Sequence, residues 1–161
     1  MKKLTVKSEF SIYDTVGELP EEIRRLMEKA VEVRKNAYAP YSKFKVGASI
    51  LLENDEVVAG NNQENASFPS GLCAERVAIY QAGAVFPNVP IKAMAISASS
   101  DKYETGEPIP PCGACRQTIA EYEINQRAPI AIYFMGKSGK VMKSESLKDL
   151  LPLLFDKNTF I

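Results

Sequence analysis

The sequence contains no histidine, and this absence excludes several common kinds of active site. A Ser-His-Asp triad, a Cys-His pair and every metal site with an imidazole ligand need this residue. Any soft metal ligand in the chain must therefore be a thiolate. The sequence has 3 cysteines, an odd number that cannot be fully paired in disulfides.

Net charge is also absent, because 20 basic side chains balance 20 acidic ones. Without a net charge, no overall electric field attracts the protein to nucleic acid or to anionic lipid. Long apolar runs are missing as well, since the run at residues 91–98 is short and is interrupted by Lys92. The first residues contain no apolar stretch of signal-peptide length. We expect a cytoplasmic protein that binds neither nucleic acid nor membranes.

The 161 residues are enough for one domain with a core and too few for two. We expect an N-terminal arm over residues 1–18, packed on the domain or in an oligomer, and a single domain over residues 19–161. The predicted helices lie at residues 20–37, from about residue 73, at 112–124 and at 144–151. The predicted strands lie within residues 2–13, in a β-hairpin over 44–59, at 91–97, at 129–134 and near Met142. This order predicts an α/β fold, a three-layer α/β/α sandwich with a mixed sheet of about five strands.

All of the cysteines lie in two short motifs, Cys73-Ala74-Glu75-Arg76 and Pro111-Cys112-Gly113-Ala114-Cys115-Arg116. Cys112 and Cys115 share one face of a helix, because they are three residues apart. Cys73, from a neighbouring helix, would complete a cage of three thiolates. Three protein ligands leave the fourth position of a zinc ion open, which is typical of a catalytic site. The sequence offers no fourth cysteine or histidine to close a structural site.

Two charged residues follow the first cysteine and suit catalysis at such a site. Glu75 is a candidate for accepting and delivering a proton. Arg76 can donate hydrogen bonds to sulfur and so offset the net charge of −1 that three thiolates and Zn²⁺ produce. Taken singly, Glu75 could be an ordinary acid in the first turn of a helix and Arg76 a solvated cation. A redox role for Cys112 and Cys115 is an alternative, but it leaves Glu75 unexplained.

The joint pattern resembles the small zinc-dependent cytidine deaminases that have three cysteine ligands. The resemblance runs from about Tyr38 to Phe155 and includes residues 39–48, 62–66, 73–76 and 111–117. It implies a catalytic domain that deaminates cytidine and 2′-deoxycytidine in pyrimidine salvage. It also implies one Zn²⁺ per subunit, held by Cys73, Cys112 and Cys115. In this chemistry a zinc-bound hydroxide attacks C4 of the pyrimidine and Glu75 moves the protons.

The resemblance also implies a set of substrate contacts. Asn62 and Glu64 would bind the ribose 3′-hydroxyl, and the backbone amide of Ala74 would contact the pyrimidine carbonyl. Phe44 would pack on the nucleoside, although an aromatic residue on an alternating strand can equally belong to the core. Phe155 would reach the site of an adjacent subunit, in a homotetramer with shared active sites.

Other functions remain open at this stage. The same chemistry could act on another aminopyrimidine nucleoside, such as an antibiotic nucleoside, or the chain could be a non-catalytic zinc or redox module. Deamination of a polynucleotide is disfavoured because no basic stripe with interleaved aromatic residues is present. The polar loop at residues 60–71 suits ligand contacts but also suits a plain connection. Phe68 departs from the tyrosine that many relatives have at this position.

Overall fold

The computed structural model describes residues 1–160 and shows helices on both faces of one mixed β-sheet. The strands are β1 (Ser11–Tyr13), β2 (Phe44–Leu52), β3 (Val57–Asn61), β4 (Ile91–Ser100), β5 (Ala131–Met135) and β6 (Val141–Ser144). The helices are α1 (Glu21–Arg34), α2 (Ala74–Val85), α3 (Gly113–Gln126) and α4 (Leu147–Leu150).

The strands lie in the order β1-β6-β5-β4-β2-β3, and the pair β4–β5 is parallel while the other neighbours are antiparallel. A parallel pair needs a crossover connection, and here α3 provides it. The predicted α/β class and mixed sheet are confirmed. The sheet, predicted to have about five strands, has 6 over residues 1–160. The short β1 pairs with β6 and forms one edge of the sheet.

Alternation along the central strands divides the core into two layers. Met94 and Ile96 of β4 pack in the layer that contains α2, α3 and α4. Ala93 and Ala95 point to the opposite face and pack in the layer that contains α1. The apolar stripe of α1 recurs at helical spacing, at Ile23, Leu26, Met27 and Ala30. The sheet is thus buried on both faces, with α1 on one side and α2, α3 and α4 on the other.

Close packing of α1 on the sheet depends on a small residue and on a buried cation. A Cβ at Gly47 of β2 would collide with the carbonyl oxygen of Ala30, so only glycine permits this approach. Arg34, at the end of α1, is buried and donates to Ser97 Oγ at 2.5 Å and to the Gly136 carbonyl at 3.4 Å. Burial lowers the pKa of Arg34. The last residue of α1 therefore ties this helix to the ends of β4 and β5.

The predicted element bounds were wrong at several ends. The first helix ends at Arg34 rather than at residue 37, because the amides of residues 35–37 bond to carbonyls three residues earlier and tighten the chain into a turn. Within the predicted N-terminal strand, only Ser11–Tyr13 reaches β6, and residues 1–10 are exposed. The strand from Ile91 continues to Ser100, since Ser100 pairs with Phe44. The last helix is only Leu147–Leu150, preceded by the capping side chain of Ser146.

Across residues 1–160, no helix has the combination of length and hydropathy that a membrane span requires.

Candidate active site

The cysteines meet at the N-terminal ends of two helices. Cys73 immediately precedes α2, Cys112 immediately precedes α3, and Cys115 lies in the first turn of α3. The Sγ atoms of Cys73 and Cys112 are 3.9 Å apart, and those of Cys112 and Cys115 are 3.5 Å apart. The positive end of each helix dipole therefore faces these sulfur atoms.

This donor set fits a zinc ion. A tetrahedral site with Zn–S bonds of about 2.3 Å has sulfur–sulfur edges of about 3.8 Å, close to the separations observed. The ligand atoms of Cys73, Cys112 and Cys115 all lie within 4.8 Å of one another. Cys115 is buried whereas Cys112 is exposed, so the cluster faces solvent on one side. A fourth ligand could therefore come from water or substrate.

The thiols and their neighbours influence one another's protonation. The neighbouring Cys115 thiol is the main cause that lowers the pKa of Cys73 to about 5, and Arg76 acts in the same direction. The same contact with Cys73, together with burial, raises the pKa of Cys115. The pair therefore combines one readily formed thiolate with one thiol that keeps its proton. Since metal ligands must be deprotonated, zinc binding to these residues is coupled to proton release.

Glu75 and Arg76 lie next to this cluster in the first turn of α2. Glu75 is 5% exposed. Burial raises the pKa of its carboxyl to about 7, and the negative charge at Cys73 contributes to the increase. Arg76 Nη2 donates to Cys73 Sγ at 3.8 Å, and this hydrogen bond raises the pKa of the guanidinium. A buried carboxyl and a cation thus flank the sulfur atoms.

A cavity of about 580 Å³ opens beside the cluster. This volume is typical of small-molecule sites. Cys73, which belongs to the cysteine cluster, and Arg76, which bonds to it, both line the cavity. The remaining wall residues are mostly polar or aromatic: Tyr41, Ser42, Asn62, Gln63, Glu64, Asn65, Phe68, Gly71 and Leu72. Two of the predicted substrate-binding residues, Asn62 and Glu64, are therefore brought to the cavity.

Glu64 is held in place by the turn at residues 39–43. Its carboxylate accepts the backbone N–H groups of Tyr41 at 2.9 Å and of Ser42 at 3.3 Å, and it also accepts the Ser42 hydroxyl. Burial by itself would raise the pKa of Glu64, but the hydrogen bonds from Ser42 and Tyr41 outweigh this effect and lower the pKa. The carboxylate is therefore ionised at neutral pH and presents a fixed acceptor at the cavity.

Asn62 is fixed by the beginning of β2. Its Oδ1 accepts the N–H of Val46 at 2.8 Å, and its Nδ2 donates to the carbonyl of Phe44 at 2.9 Å. An amide nitrogen has two hydrogens. Among the described residues only one of them is used, so the other is available to a ligand. The same contacts fix the backbone of Phe44, whose half-buried side chain lies outside the cavity lining described above.

The remaining predicted residues occupy different surroundings. Ala74 is fully buried as the first residue of α2. Phe155 is 60% exposed, and its ring packs edge-on against Phe160 with a centroid distance of 5.5 Å. Neither residue is part of the cavity wall in the described chain. The placement of Phe155 at the surface leaves its ring free to contact another molecule.

The sequence reasoning missed two features of the cavity. Ser42 supports Glu64 across 22 residues of chain, and no periodic pattern indicates such a contact. The rings of Tyr41 and Phe68 pack edge-to-face with centroids 5.7 Å apart. Lys43, which follows Ser42, has a positive φ of 58°. The proline at residue 40 signals a turn here but does not indicate what the turn contacts.

Comparisons of the chain with known proteins all identify the same family. The family model described as the cytidine and deoxycytidylate deaminase zinc-binding region matches residues 20–129. A cytidine deaminase from Halalkalibacterium halodurans is 37% identical over 130 residues, covering 81% of this chain and 91% of that protein. One from Sporosarcina psychrophila is 38% identical over 137 residues, covering 84% and 93%. The crystal structure of cytidine deaminase from Burkholderia pseudomallei matches with a TM-score of 0.71 at 38% identity, covering 81% of this chain and 97% of that one.

Proposed function

The chain belongs to the zinc-dependent cytidine deaminase family, and we propose that it converts cytidine and 2′-deoxycytidine to uridine and 2′-deoxyuridine with release of ammonia. The reaction is a hydrolysis, and its product supports pyrimidine salvage in the cytoplasm. The observation that carries the proposal is the three-sulfur cluster at two helix N-termini, with the buried carboxyl of Glu75 beside it.

Cys73, Cys112 and Cys115 would hold the zinc ion. When bound, zinc acts as a Lewis acid that lowers the pKa of a water molecule, so that a nucleophile is available near neutral pH. Support comes from the sulfur–sulfur separations of 3.9 Å and 3.5 Å. Arg76 would offset the excess negative charge of the thiolates through its contact with Cys73.

Glu75 would carry protons during the reaction. Its carboxylate would accept one proton from the attacking water and deliver it to N3 of the pyrimidine, and would then accept the second proton, from the hydroxyl now on C4, and deliver it to the departing amine. Burial disfavours the charged form of a carboxyl, so this environment suits a group that holds a proton for part of the cycle. Exclusion of bulk water at Glu75 also prevents the proton from being lost to solvent.

The cavity would bind the nucleoside with its sugar against Asn62 and Glu64. The ionised Glu64 can accept a hydrogen bond from the ribose 3′-hydroxyl, and the unused N–H of Asn62 can donate one to it. Ala74 begins α2, so its amide has no acceptor within the helix and can donate to the pyrimidine carbonyl. Phe44 would pack on the nucleoside from the beginning of β2.

Phe155 would act in a neighbouring subunit. Its ring is exposed in one subunit, while the cavity of that subunit is open to solvent. A homotetramer with shared active sites would cover both surfaces at once. Phe155 and Phe160 are both exposed and lie side by side, and contiguous exposed apolar surface often marks an interaction site.

A comparison of cytidine with 3′-deoxycytidine as substrates tests whether Asn62 and Glu64 bind the ribose 3′-hydroxyl. A site built to bind a hydroxyl rejects the analogue that lacks it, and we expect kcat/KM to fall by at least about 100-fold for 3′-deoxycytidine. Ammonia release and the ultraviolet change of the pyrimidine report turnover. Equal rates for both nucleosides would contradict the roles of Asn62 and Glu64. Turnover of a different aminopyrimidine nucleoside, with none of cytidine, would instead identify the alternative substrate class.

A further inference from the structure

Arg116 joins the turn before one cysteine to the C-terminal part of the chain. It follows Cys115 directly in the first turn of α3. Its Nε donates to the Pro111 carbonyl at 2.8 Å, and its Nη1 donates to the Leu150 carbonyl at 2.8 Å. Pro111 precedes Cys112 in the chain, and Leu150 is the last residue of α4. One guanidinium therefore touches both segments.

The turn that carries Cys112 has few backbone hydrogen bonds of its own. Pro110 and Pro111 have no amide hydrogen and can donate none. Pro111 is buried, but Cys112 is exposed and a Cβ at Gly113 would meet nothing within 4 Å, so packing is sparse on the cysteine side of the turn. The carbonyl of Pro111 belongs to the same peptide group as the amide of Cys112. Its hydrogen bond from Arg116 thus fixes the plane in which Cys112 enters the cluster.

The other half of the guanidinium satisfies an unpaired carbonyl at the end of α4. The last carbonyls of a helix have no partner within it, and Leu150 is in this position. The next residue of α3, Gln117, donates its Nε2 to the Phe155 carbonyl at 2.8 Å. Successive side chains of α3 thus hold the C-terminal segment, residues 150–155. Arg116 also contacts the Cys112 turn, whereas the Gln117 bond reaches only the C-terminal segment.

We infer that Arg116 is a positioning residue that couples the Cys112 turn to the C-terminal segment. This inference rests on the proposed zinc site. Zinc bound by Cys112 and Cys115 favours the turn geometry that Arg116 requires, and a docked segment holds Arg116 in place. Coupling of this kind is reciprocal, so zinc stabilises docking of the segment and docking slows the loss of zinc.

Zinc release to a chromogenic chelator tests the inference without reference to turnover. The zinc-loaded wild type is compared with Arg116→Met, which keeps much of the aliphatic stem but cannot donate, and with Gln117→Met as the matched control. Loss of a residue that supports a metal ligand typically weakens metal binding by about 10–100-fold. We expect zinc release from Arg116→Met to accelerate by about 10-fold or more. Gln117→Met loosens the segment but keeps the contact of Arg116 with the Cys112 turn, so we expect it to accelerate zinc release by a smaller factor. Equal release from all three proteins would overturn the inference.

Two further measurements separate coupling from a general loss of structure. Arg116→Lys keeps the charge but lacks the two-nitrogen fork, so we expect its zinc release to lie between those of wild type and Arg116→Met. Release from Arg116→Lys at the wild-type rate would also overturn the inference, even if Arg116→Met did not fold. Limited proteolysis of the C-terminal segment should be faster in metal-free than in zinc-loaded wild type, and equal rates would contradict the coupling. A wild type that binds no zinc would instead refute the proposed function.

Discussion

Glu64 shows at the scale of a single residue how the cavity is prepared for its ligand. Its carboxylate is held by two backbone amides and by the hydroxyl of Ser42, so the acceptor is oriented before a nucleoside arrives. Asn62 is fixed in the same way by the backbone of β2. Preorganised side chains lose little conformational entropy on binding, so under the proposed function this arrangement would improve affinity for the sugar.

Ser42→Ala tests this arrangement. Loss of the hydroxyl removes one hydrogen bond to Glu64, worth about 0.5–1.5 kcal/mol, and we expect kcat/KM for cytidine to fall by about 2- to 10-fold, mainly through KM. Steady-state kinetics measure the change. With 3′-deoxycytidine as substrate, the variant and the wild type should have similar kcat/KM. An equal loss with both nucleosides would show that Ser42 does not act through recognition of the 3′-hydroxyl.

Contacts of this kind between side chains could not be predicted from the sequence. The motifs singled out Asn62 and Glu64 through family resemblance, but nothing in their spacing indicated that Ser42 supports Glu64 from 22 residues away. The pairing exists only because the turn at residues 39–43 folds back over the start of the polar loop. Local patterns predict which residues carry chemistry better than they predict which residues orient them.

At the scale of elements, α3 is connected to the C-terminal half of the sheet by one buried carboxylate. Glu123 accepts the N–H of Ile130 at 2.8 Å, the N–H of Leu147 at 3.0 Å and the hydroxyl of Ser146 at 2.6 Å. It is 7% exposed. These bonds join α3 to the chain entering β5 and to the beginning of α4, so they fix the helix that carries two of the cysteines.

Glu123→Gln should destabilise the fold. The amide has the size of the carboxyl but only one acceptor oxygen, so either the half-buried hydroxyl of Ser146 or the two backbone N–H groups lose their acceptor, at a cost of about 1–3 kcal/mol. Urea unfolding monitored by circular dichroism measures the free energy of unfolding. Glu121→Gln, on the exposed side of the same helix, is the control and should remain near the wild-type value. Equal stability of the two variants would mean that the Glu123 bonds contribute little.

The elements themselves were largely predictable, and the errors have physical reasons. The starts of α2 and α3 were found because the cysteine motifs lie where a loop enters a helix. The hairpin of β2 and β3 followed from alternation around the turn at Asn54. A strand was predicted within residues 2–13, but its restriction to Ser11–Tyr13 and its partner were not, because pairing of β1 with β6 depends on residues far apart in sequence. Alternation indicates an extended segment but does not identify its neighbour in the sheet.

At the scale of the whole molecule, one subunit presents an open cavity on its surface and exposed aromatic side chains. Tyr41 is 47% exposed and Phe68 is 73% exposed at the cavity, and Phe155 is 60% exposed on the C-terminal segment. Covering apolar side chains that are exposed to this extent with another surface lowers the free energy of the system. The proposed assembly of several subunits, each placing Phe155 at a neighbouring site, would account for these exposures together.

Mixing a weakened variant with an inactive one tests whether the active sites are shared between subunits. We expect Phe155→Ala to lower kcat/KM by removing the ring from a neighbouring site, and Glu75→Ala to be inactive. When the two are unfolded and refolded together, some sites combine an intact Glu75 with an intact Phe155 from another subunit, so activity should rise above that of either variant refolded alone. Light scattering should show a tetramer. A stable, fully active monomer, or no recovery in the mixture, would contradict the role of Phe155.

In the proposed function, three thiolates hold zinc and Glu75 moves the protons of cytidine deamination. The most direct test measures bound zinc and the ultraviolet change on adding cytidine, in wild type and in Glu75→Ala. We predict stoichiometric zinc in both proteins and consumption of cytidine by the wild type alone, with kcat reduced by at least about 100-fold in the variant. Cytidine turnover that survives in Glu75→Ala, or a wild type that turns over cytidine without bound metal, would contradict the account.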